Sequence, residues 1–256
     1  MQSKKKNVKK SSKKTKNKKR KLKIIKWTSL CIITVGAVTL FLLSDLFNIK
    51  QVKIINNSKV LTEEIINLSG IKINENMFKF FGFQVEEKIK QNPYIETAKV
   101  YRKIDGTIEI EVKERVTTYM LALEEGQYAY INNQGYILEK SLEKLQVPVL
   151  TGYSSENIEP GLRLEIKDLE KLNTVIQIMN TAKERNLSLK ISNIDIENEQ
   201  DFLITMDAEN KLIHFGDSSY ISEKFVKLIA VLEDTVGQKG EIFVKNINKI
   251  YFRNEV

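Results

Sequence analysis

Few residues in this chain have the types needed for nucleophilic or metal chemistry. The 256 residues contain one histidine, His214, and one cysteine, Cys31. An activated nucleophile needs a base placed beside it, and a structural zinc site needs several Cys and His ligands. His214 lies in an alternating segment typical of a strand, so we interpret it as a packed or surface residue. The sequence therefore predicts no metal site and no cofactor.

Acidic residues are plentiful, but their spacing does not favour acid–base catalysis. They alternate with apolar residues on predicted strands or follow the polar side of predicted helices, which is typical of solvated surfaces. The sequence contains no phosphate-binding glycine loop, no G-x-S-x-G and no H-E-x-x-H motif. We therefore expect a protein that is not an enzyme, has no small-molecule substrate and works by binding another protein.

An uncharged apolar stretch from Trp27 to Ser44 determines where the rest of the chain lies relative to a membrane. Eighteen helical residues rise about 27 Å, close to the thickness of the hydrocarbon core of a bilayer. We predict a transmembrane helix over 27–47, anchored by Lys26 and Trp27 at one border and by Phe47 at the other. A cleaved signal peptide is the alternative. No small-residue cleavage pattern follows the stretch, which favours an uncleaved anchor.

The distribution of charge predicts the orientation of this helix. Residues 1–26 hold fourteen Lys and Arg and no acidic residue, and the net charge of +8 for the whole chain leaves −6 for the remainder. Basic residues beside a span stay in the cytoplasm. We expect 1–26 to be a disordered cytoplasmic tail that contacts anionic lipid, with the rest outside the cell membrane. The mildly acidic outer part gives no indication of nucleic-acid binding.

The outer part is predicted to hold two α+β modules. Over 48–114 the patterns indicate a strand, two helices ended by Gly70 and Pro93, and two strands joined by Asp105-Gly106, in the order β-α-α-β-β. Over 115–253 they indicate a β-rich module of short strands. Two apolar stripes at helical spacing, over 168–186 and 221–236, predict its helices.

Short sequence motifs accompany this order of elements, at Val52–Asn57, Gly70-Ile71, Ala98–Arg102, Ile110–Arg115, Val147–Gly152, Phe215-Gly216, Glu223-Lys224 and Ile250–Arg253. Together the motifs and the order of elements resemble the FtsQ/DivIB family of bacterial division proteins, in which the first module is a POTRA domain. The resemblance covers nearly the whole chain. Two departures are Ile104 where the family usually has Pro, and Tyr251 where it has Asp.

The closing segment, 241–253, is the predicted partner-binding site. A terminal strand leaves an edge with unpaired backbone groups, to which another protein can add a strand. The alternative is that its aromatic rings complete the core. The resemblance implies docking of FtsB/DivIC-like and FtsL-like coiled-coil membrane proteins at the septum, near the septal transpeptidase and transglycosylase. The predicted contact residues are Val244, Ile247, Lys249, Ile250, Tyr251, Phe252 and Arg253.

Two other functions compete with a division-site scaffold. One is a POTRA-bearing export chaperone that binds unfolded peptide strands, which should capture many peptides rather than one partner. The other is a cell-wall hydrolase or transferase, which the sequence disfavours because no catalytic set of residues is present.

Overall fold

The computed structural model describes the backbone of residues 3 to 255 and the side chains of Lys21 and residues 23 to 255. The chain divides into two compact units. One contains the residues up to Ile55 together with Thr62–Lys88 and Lys99–Glu111, and the other contains Asn56–Leu61, Ile89–Ala98 and the residues from Val112 onward. The fold is α+β, which confirms the predicted class.

The first element is a long helix, α1, over Ser3–Leu42. Within it Lys23–Leu42 is long and apolar enough to cross a membrane. The helical backbone extends back to Ser3, and the expectation that 1–26 forms a disordered tail stays a prediction. Lysine and arginine are good helix formers, and a helix already nucleated by the apolar segment gains one hydrogen bond for each added residue. Most of the basic side chains of the tail lie outside the described residues.

The end of α1 differs from the predicted span. The helix stops at Leu42, and Asp45–Phe47 forms a separate 3-10 helix. The side chain of Asn76 donates hydrogen bonds to the carbonyl oxygens of Leu42 (2.9 Å) and Ser44 (3.1 Å). The Leu42 carbonyl is one that a helix end leaves without an intrahelical partner, and the Ser44 carbonyl also accepts from the Phe47 N–H at 3.1 Å. The Asn76 side chain therefore links the end of α1 to the folded module.

The first outer module has the predicted order β-α-α-β-β. Its sheet has the order β1-β3-β2, and β1 runs parallel to β3 with Gln51 opposite Thr107 and Ile55 opposite Glu111. Ile65 of α2, Val85 of α3 and Ile108 of β3 are buried in its core. The elements are β1 (Gln51–Ile55), α2 (Thr62–Ser69), α3 (Gly82–Ile89), β2 (Ile95–Arg102) and β3 (Thr107–Glu114).

The second module is built on one nine-stranded sheet in the order β12-β11-β10-β9-β8-β7-β4-β5-β6. It is mixed: β4 and β8 lie parallel to β7, β11 lies parallel to β10, and the other pairs are antiparallel. The elements are β4 (Tyr119–Ala122), β5 (Tyr128–Ile131), β6 (Ile137–Ser141), β7 (Val149–Thr151), α4 (Ile166–Glu184), β8 (Asn193–Asp195), β9 (Phe202–Met206), β10 (Lys211–Gly216), α5 (Ile221–Asp234), β11 (Gly240–Phe243) and β12 (Tyr251–Asn254).

Helices α4 and α5 pack on one face of this sheet. Val175 of α4 and Phe225 of α5 share a core cluster with Ile204, Phe215 and Ile242 from the strands, and all five are fully buried. Residues between these on the strands, such as His214, point to the opposite face and remain partly exposed. The alternation that predicted the strands therefore also separates the helix-covered face from the open one.

A buried carboxylate ties α4 to the loop that follows β7. Asp168 is fully buried and accepts hydrogen bonds from the backbone N–H and the hydroxyl of both Ser154 and Ser155. The Lys171 ammonium lies 3.8 Å from the same carboxylate. Burial alone would raise the pKa of Asp168, but the hydrogen bonds from Ser155 and Ser154 outweigh it and hold the pKa below its usual value.

We predict that Asp168→Asn lowers the free energy of unfolding by about 3 kcal/mol near pH 7, because an amide cannot accept all these bonds and Lys171 loses its counter-charge. Since the folded-state pKa is depressed, the carboxylate's contribution is full above the ordinary Asp value of 3.8. It is lost as the pH falls through the folded-state pKa. The difference between the variant and the wild type should therefore shrink in acid.

Urea unfolding of both proteins across this pH range measures the effect. Glu170→Gln, at an exposed neighbouring position on α4, is the matched control and should change stability little. An equal loss in both variants would contradict the role given to Asp168.

Candidate partner-docking edge

Strand β12 forms one end of the nine-stranded sheet and pairs with β11 alone. The pairing is antiparallel, with Glu241 opposite Arg253 and Phe243 opposite Tyr251. Strand β11 in turn lies parallel to β10. No further strand of the chain covers β12 within residues 3 to 255. The prediction that the closing segment supplies a sheet edge therefore matches the topology.

The hydrogen bonds around β11 identify the backbone groups that face outward. The Glu255 N–H donates to the Lys239 carbonyl oxygen, and the Gly240 N–H donates away from β12 to Asn210. Hydrogen-bonded and non-bonded residue pairs alternate along an antiparallel ladder. The backbone groups of Phe252 and Asn254 must therefore point away from β11. They form the outer rim of the sheet.

The opposite end of the sheet is covered where β6 begins. The Ile137 N–H donates to the Leu162 carbonyl oxygen and its own carbonyl accepts from the Gly161 N–H, both at 2.8 Å. A bridge between Tyr136 and Arg163 extends this cover. Of the two ends, the β12 end is thus the more open to an added strand.

Three stacked rings cross the open face of the sheet at this end. The ring centroids of His214 and Phe243 lie 4.2 Å apart, and those of Phe243 and Tyr251 lie 4.5 Å apart, with interplanar angles of 8° and 11°. The residues sit directly opposite one another on β10, β11 and β12. Phe243 is 8% exposed and Tyr251 is 46% exposed. The outermost ring is therefore held in position by the two inner ones.

Charged groups surround these rings. The imidazole of His214 lies between two carboxylates, with Nδ1 3.2 Å from Asp201 and Nε2 3.2 Å from Glu241. Glu241 also accepts from Arg253 on β12, and Asp201 pairs with Lys245. Within the described residues no group of His, Cys, Asp and Glu is placed to hold a metal ion. The arrangement links β10, β11 and β12 and leaves Arg253 exposed beside Tyr251.

The core-facing side of β12 packs closely against Gly240 of β11. Phe252 is half-buried and packs against the core cluster, with the Lys211 ammonium 5.2 Å from its ring centroid. A Cβ atom on Gly240 would lie 2.3 Å from the Arg253 carbonyl oxygen and 2.7 Å from the Phe252 ring. Burial lowers the pKa of the Lys211 ammonium, although the negative charge of Glu209 acts to raise it. Only glycine lets the two strands approach this closely.

The predicted contact residues separate into two groups. Tyr251, Arg253 and Lys249 are exposed, so their side chains can reach a partner directly. The others are covered to different degrees: Val244 is fully buried, and Ile247, Ile250 and Phe252 are half-buried. The alternative that aromatic rings complete the core thus describes Phe252 and not Tyr251. Which of these residues contact a partner stays a prediction.

Two of the predicted membrane-anchor residues lie near the start of the apolar part of α1, and the third lies in the 3-10 helix that follows α1. Lys26 and Trp27 are exposed, as expected for lipid-facing residues. Phe47 is half-buried between the rings of Phe41 and Phe78.

The sequence analysis placed Glu241 and Phe243 in the closing segment but not among the predicted contact residues, and it interpreted His214 in isolation. The alternating pattern in β10 and β11 places His214, Glu241 and Phe243 on the strand face that is not covered by the helices. It contains no signal for the parallel pairing of these strands, which alone brings the residues together.

Two family models match the chain. The model described as "POTRA domain, FtsQ-type" matches residues 47–115, and the model described as "FtsQ/DivIB, C-terminal related" matches residues 118–256, more than half of the chain. The chain belongs to the FtsQ/DivIB family. The strand β12 and its neighbours therefore lie in the C-terminal region that this family shares. Membership supports a role in cell division and, together with the apolar helix, indicates a membrane-anchored protein.

Named relatives are cell division proteins. The chain is similar to DivIB of Clostridium tetani, with 29% identity over 206 residues that cover 80% of this chain and 76% of that protein. DivIB of Clostridium acetobutylicum is 26% identical over 84% of each chain. FtsQ of Syntrophotalea carbinolica is 26% identical over 57% of this chain and 54% of that protein.

We predict that Gly240→Ala loosens β12 from the sheet, because the added methyl group collides with backbone that cannot move aside. Hydrogen exchange of the Arg253 and Glu255 amides should accelerate on the order of tenfold or more, corresponding to a loss of about 1.4 kcal/mol in local stability. Residue-resolved hydrogen–deuterium exchange measures this. Lys239→Ala, a change at the neighbouring residue, removes only an exposed ion pair with Glu255 and should leave the Arg253 amide nearly unchanged. Unaltered exchange in Gly240→Ala would show that β12 does not need this close approach.

Proposed function

We propose that this protein is a non-enzymatic scaffold of the division machinery that holds a partner protein by strand addition at β12. The observation that carries the proposal is the outward-facing backbone of Phe252 and Asn254 at the open end of the sheet. Main-chain hydrogen bonds would supply affinity, and the exposed side chains of Tyr251 and Arg253 would supply selectivity. Aromatic residues and arginine are the types most enriched at the energetic centres of interfaces.

The partners proposed for this edge are the FtsB/DivIC-like and FtsL-like coiled-coil membrane proteins that the family resemblance implies. A segment following a coiled coil can become extended and pair with β12. The septal transpeptidase and transglycosylase would then be recruited or supported through these proteins. The function of the scaffold is positional, because a folded docking site attached to a membrane helix is confined near the bilayer.

The proposed topology has the basic N-terminus in the cytoplasm and both modules outside, at the division septum. It is supported by the fourteen basic residues before the apolar stretch and by the absence of acidic residues among them. A single-pass type II membrane protein of this kind presents β12 to partners that are themselves anchored in the same membrane.

We predict that Asn254→Pro weakens partner binding on the order of tenfold, because proline removes an outward N–H from the rim and places its ring there. Since that N–H is not used in the pairing with β11, the sheet itself should tolerate the change. The matched control is Asn254→Ala, which shortens the side chain but keeps the N–H and should bind within about twofold of the wild type. Affinity for the outer segment of the coiled-coil partner is the measurement.

Equal binding by the proline and alanine variants would contradict strand addition at β12. Comparable affinity of the wild type for many unrelated unfolded peptides would favour the export-chaperone function instead. Circular dichroism and unfolding of both variants establish that the fold is retained.

A further inference from the structure

The first outer module carries a cluster of exposed phenylalanines next to the end of α1. Residues 76–83, the aromatic loop, read Asn-Met-Phe-Lys-Phe-Phe-Gly-Phe. Phe78, Phe81 and Phe83 are 43%, 63% and 62% exposed. Scattered apolar residues on a surface are normal, but a contiguous group of large aromatic side chains marks an interaction site.

Backbone and side-chain bonds fix this loop to the end of the apolar helix. In addition to the two bonds from Asn76 to the last carbonyls of α1, the Met77 N–H donates to the Phe47 carbonyl oxygen at 2.9 Å. Asn76 also forms a β-bridge with Asn48. The loop is therefore held at the level where the apolar helix ends.

A row of rings continues from the helix into the loop. Phe41, in the apolar part of α1, makes an edge contact with Phe47, with centroids 5.3 Å apart. Phe47 makes a second edge contact with Phe78, with centroids 5.2 Å apart. The apolar surface that begins on the membrane helix is thus continuous with that of the aromatic loop.

Arg102 of β2 supports the loop from the side of the sheet. Its Nε donates to the Met77 carbonyl oxygen and its Nη2 donates to the Phe80 carbonyl oxygen, both at 2.8 Å. The guanidinium also lies 4.7 Å from the ring centroid of Phe80. A bidentate hold of this kind fixes the backbone, so the exposed rings are presented by a rigid segment.

Another exposed apolar residue lies at the end of the module that carries the aromatic loop. Ile104, in the turn between β2 and β3, is 96% exposed. The turn is held by a hydrogen bond from the Lys50 N–H to the Gly106 carbonyl oxygen at 2.9 Å, just after the end of the 3-10 helix. The turn and the aromatic loop therefore both lie beside the chain that leaves α1.

We propose that the aromatic loop is a membrane-interface site whose ligand is the lipid bilayer, with Phe78, Phe81 and Phe83 inserted at the headgroup level beside α1. Aromatic rings favour this layer, and Lys79 can extend its ammonium to the phosphates. A bilayer is favoured over a protein partner because the loop is bonded to the end of the apolar helix and continues its surface. This inference rests on the membrane anchoring in the proposed function.

The site gives the first module a preferred orientation on the membrane. A single helix leaves the attached module free to tilt, whereas a helix and inserted rings beside it hold the module at more than one point. The bonds from Asn76 link the loop to the end of α1, and the bonds from Arg102 link it to β2 of the sheet.

Tryptophan fluorescence in vesicles tests the site in the full chain. Phe81→Trp and Phe83→Trp are made separately in a Trp27→Phe background, which removes the chain's single native tryptophan. Each protein is reconstituted into phosphatidylcholine and phosphatidylglycerol vesicles, with and without lipids brominated near the headgroup. We expect both reporters to lose about half of their emission in the brominated vesicles, as inserted rings should.

The matched control is Glu63→Trp in the same background. The chain leaves the membrane end along β1 and returns to it after α2, where the Asn74 N–H bonds to the Ile49 carbonyl oxygen at 2.8 Å. Glu63 is exposed in the first turn of α2, at the end farther from this return. Its tryptophan should not be quenched.

The wild-type protein distinguishes failure of the lipid site from failure of the membrane anchoring, because its Trp27 reports on the apolar helix. Quenching of Trp27 without quenching at positions 81 and 83 would overturn the lipid site while leaving the anchored scaffold intact. Absence of quenching at Trp27 would overturn both. Quenching at 81, 83 and 63 alike would show that the whole module contacts lipid and would also overturn the specific site.

Discussion

Backbone hydrogen bonding is the constraint on which the second module depends. Each strand of its nine-stranded sheet satisfies its N–H and C=O groups through its neighbours, and a buried group left without a partner would cost free energy. The ladder must nevertheless end somewhere. At β6 it ends under the segment around Leu162, whereas at β12 the alternating groups of Phe252 and Asn254 face outward. The docking proposal follows from this difference between the two ends.

Side-chain packing keeps that open end in place. Gly240 allows β12 to approach β11, Phe252 fills the core side, and the rings of His214, Phe243 and Tyr251 stack on the other side. An edge strand without such support would fray, and a frayed strand is a poor template for another. The same elements that stabilise β12 therefore also pre-organise it for binding, which reduces the entropy cost of association.

Local patterns predicted the elements well. The order β-α-α-β-β of the first module was predicted correctly, and helical spacing located α4 and α5 to within about two residues, the usual uncertainty of helix ends. The order of strands could not be predicted, since the parallel pairings of β4 with β7 and of β10 with β11 join segments distant in sequence. The burial of Val244 and the stacking on His214 were missed for the same reason. The aromatic loop was overlooked because its rings follow neither the strand period nor the helical one.

Membership of one family explains why an apolar helix, a POTRA module and a β-rich module follow one another in this chain. The contacts within each of them indicate what each can bind. An apolar helix places the chain at a membrane, the loop beside it carries exposed aromatic rings, and the second module offers an unpaired strand. The lone histidine, which was the first residue to suggest chemistry, lies paired with two carboxylates beneath the docking edge. Its ring stacks on that of Phe243, which in turn stacks on the exposed ring of Tyr251.

Residue-resolved amide hydrogen exchange of the second module, with and without its bound partner, is the sharpest test of strand addition at β12. Strand addition predicts that the amides of Phe252 and Asn254 become protected on binding, while those of Tyr251 and Arg253, already bonded to β11, change little. Tight binding that leaves the Phe252 and Asn254 amides as exposed as before would contradict the account.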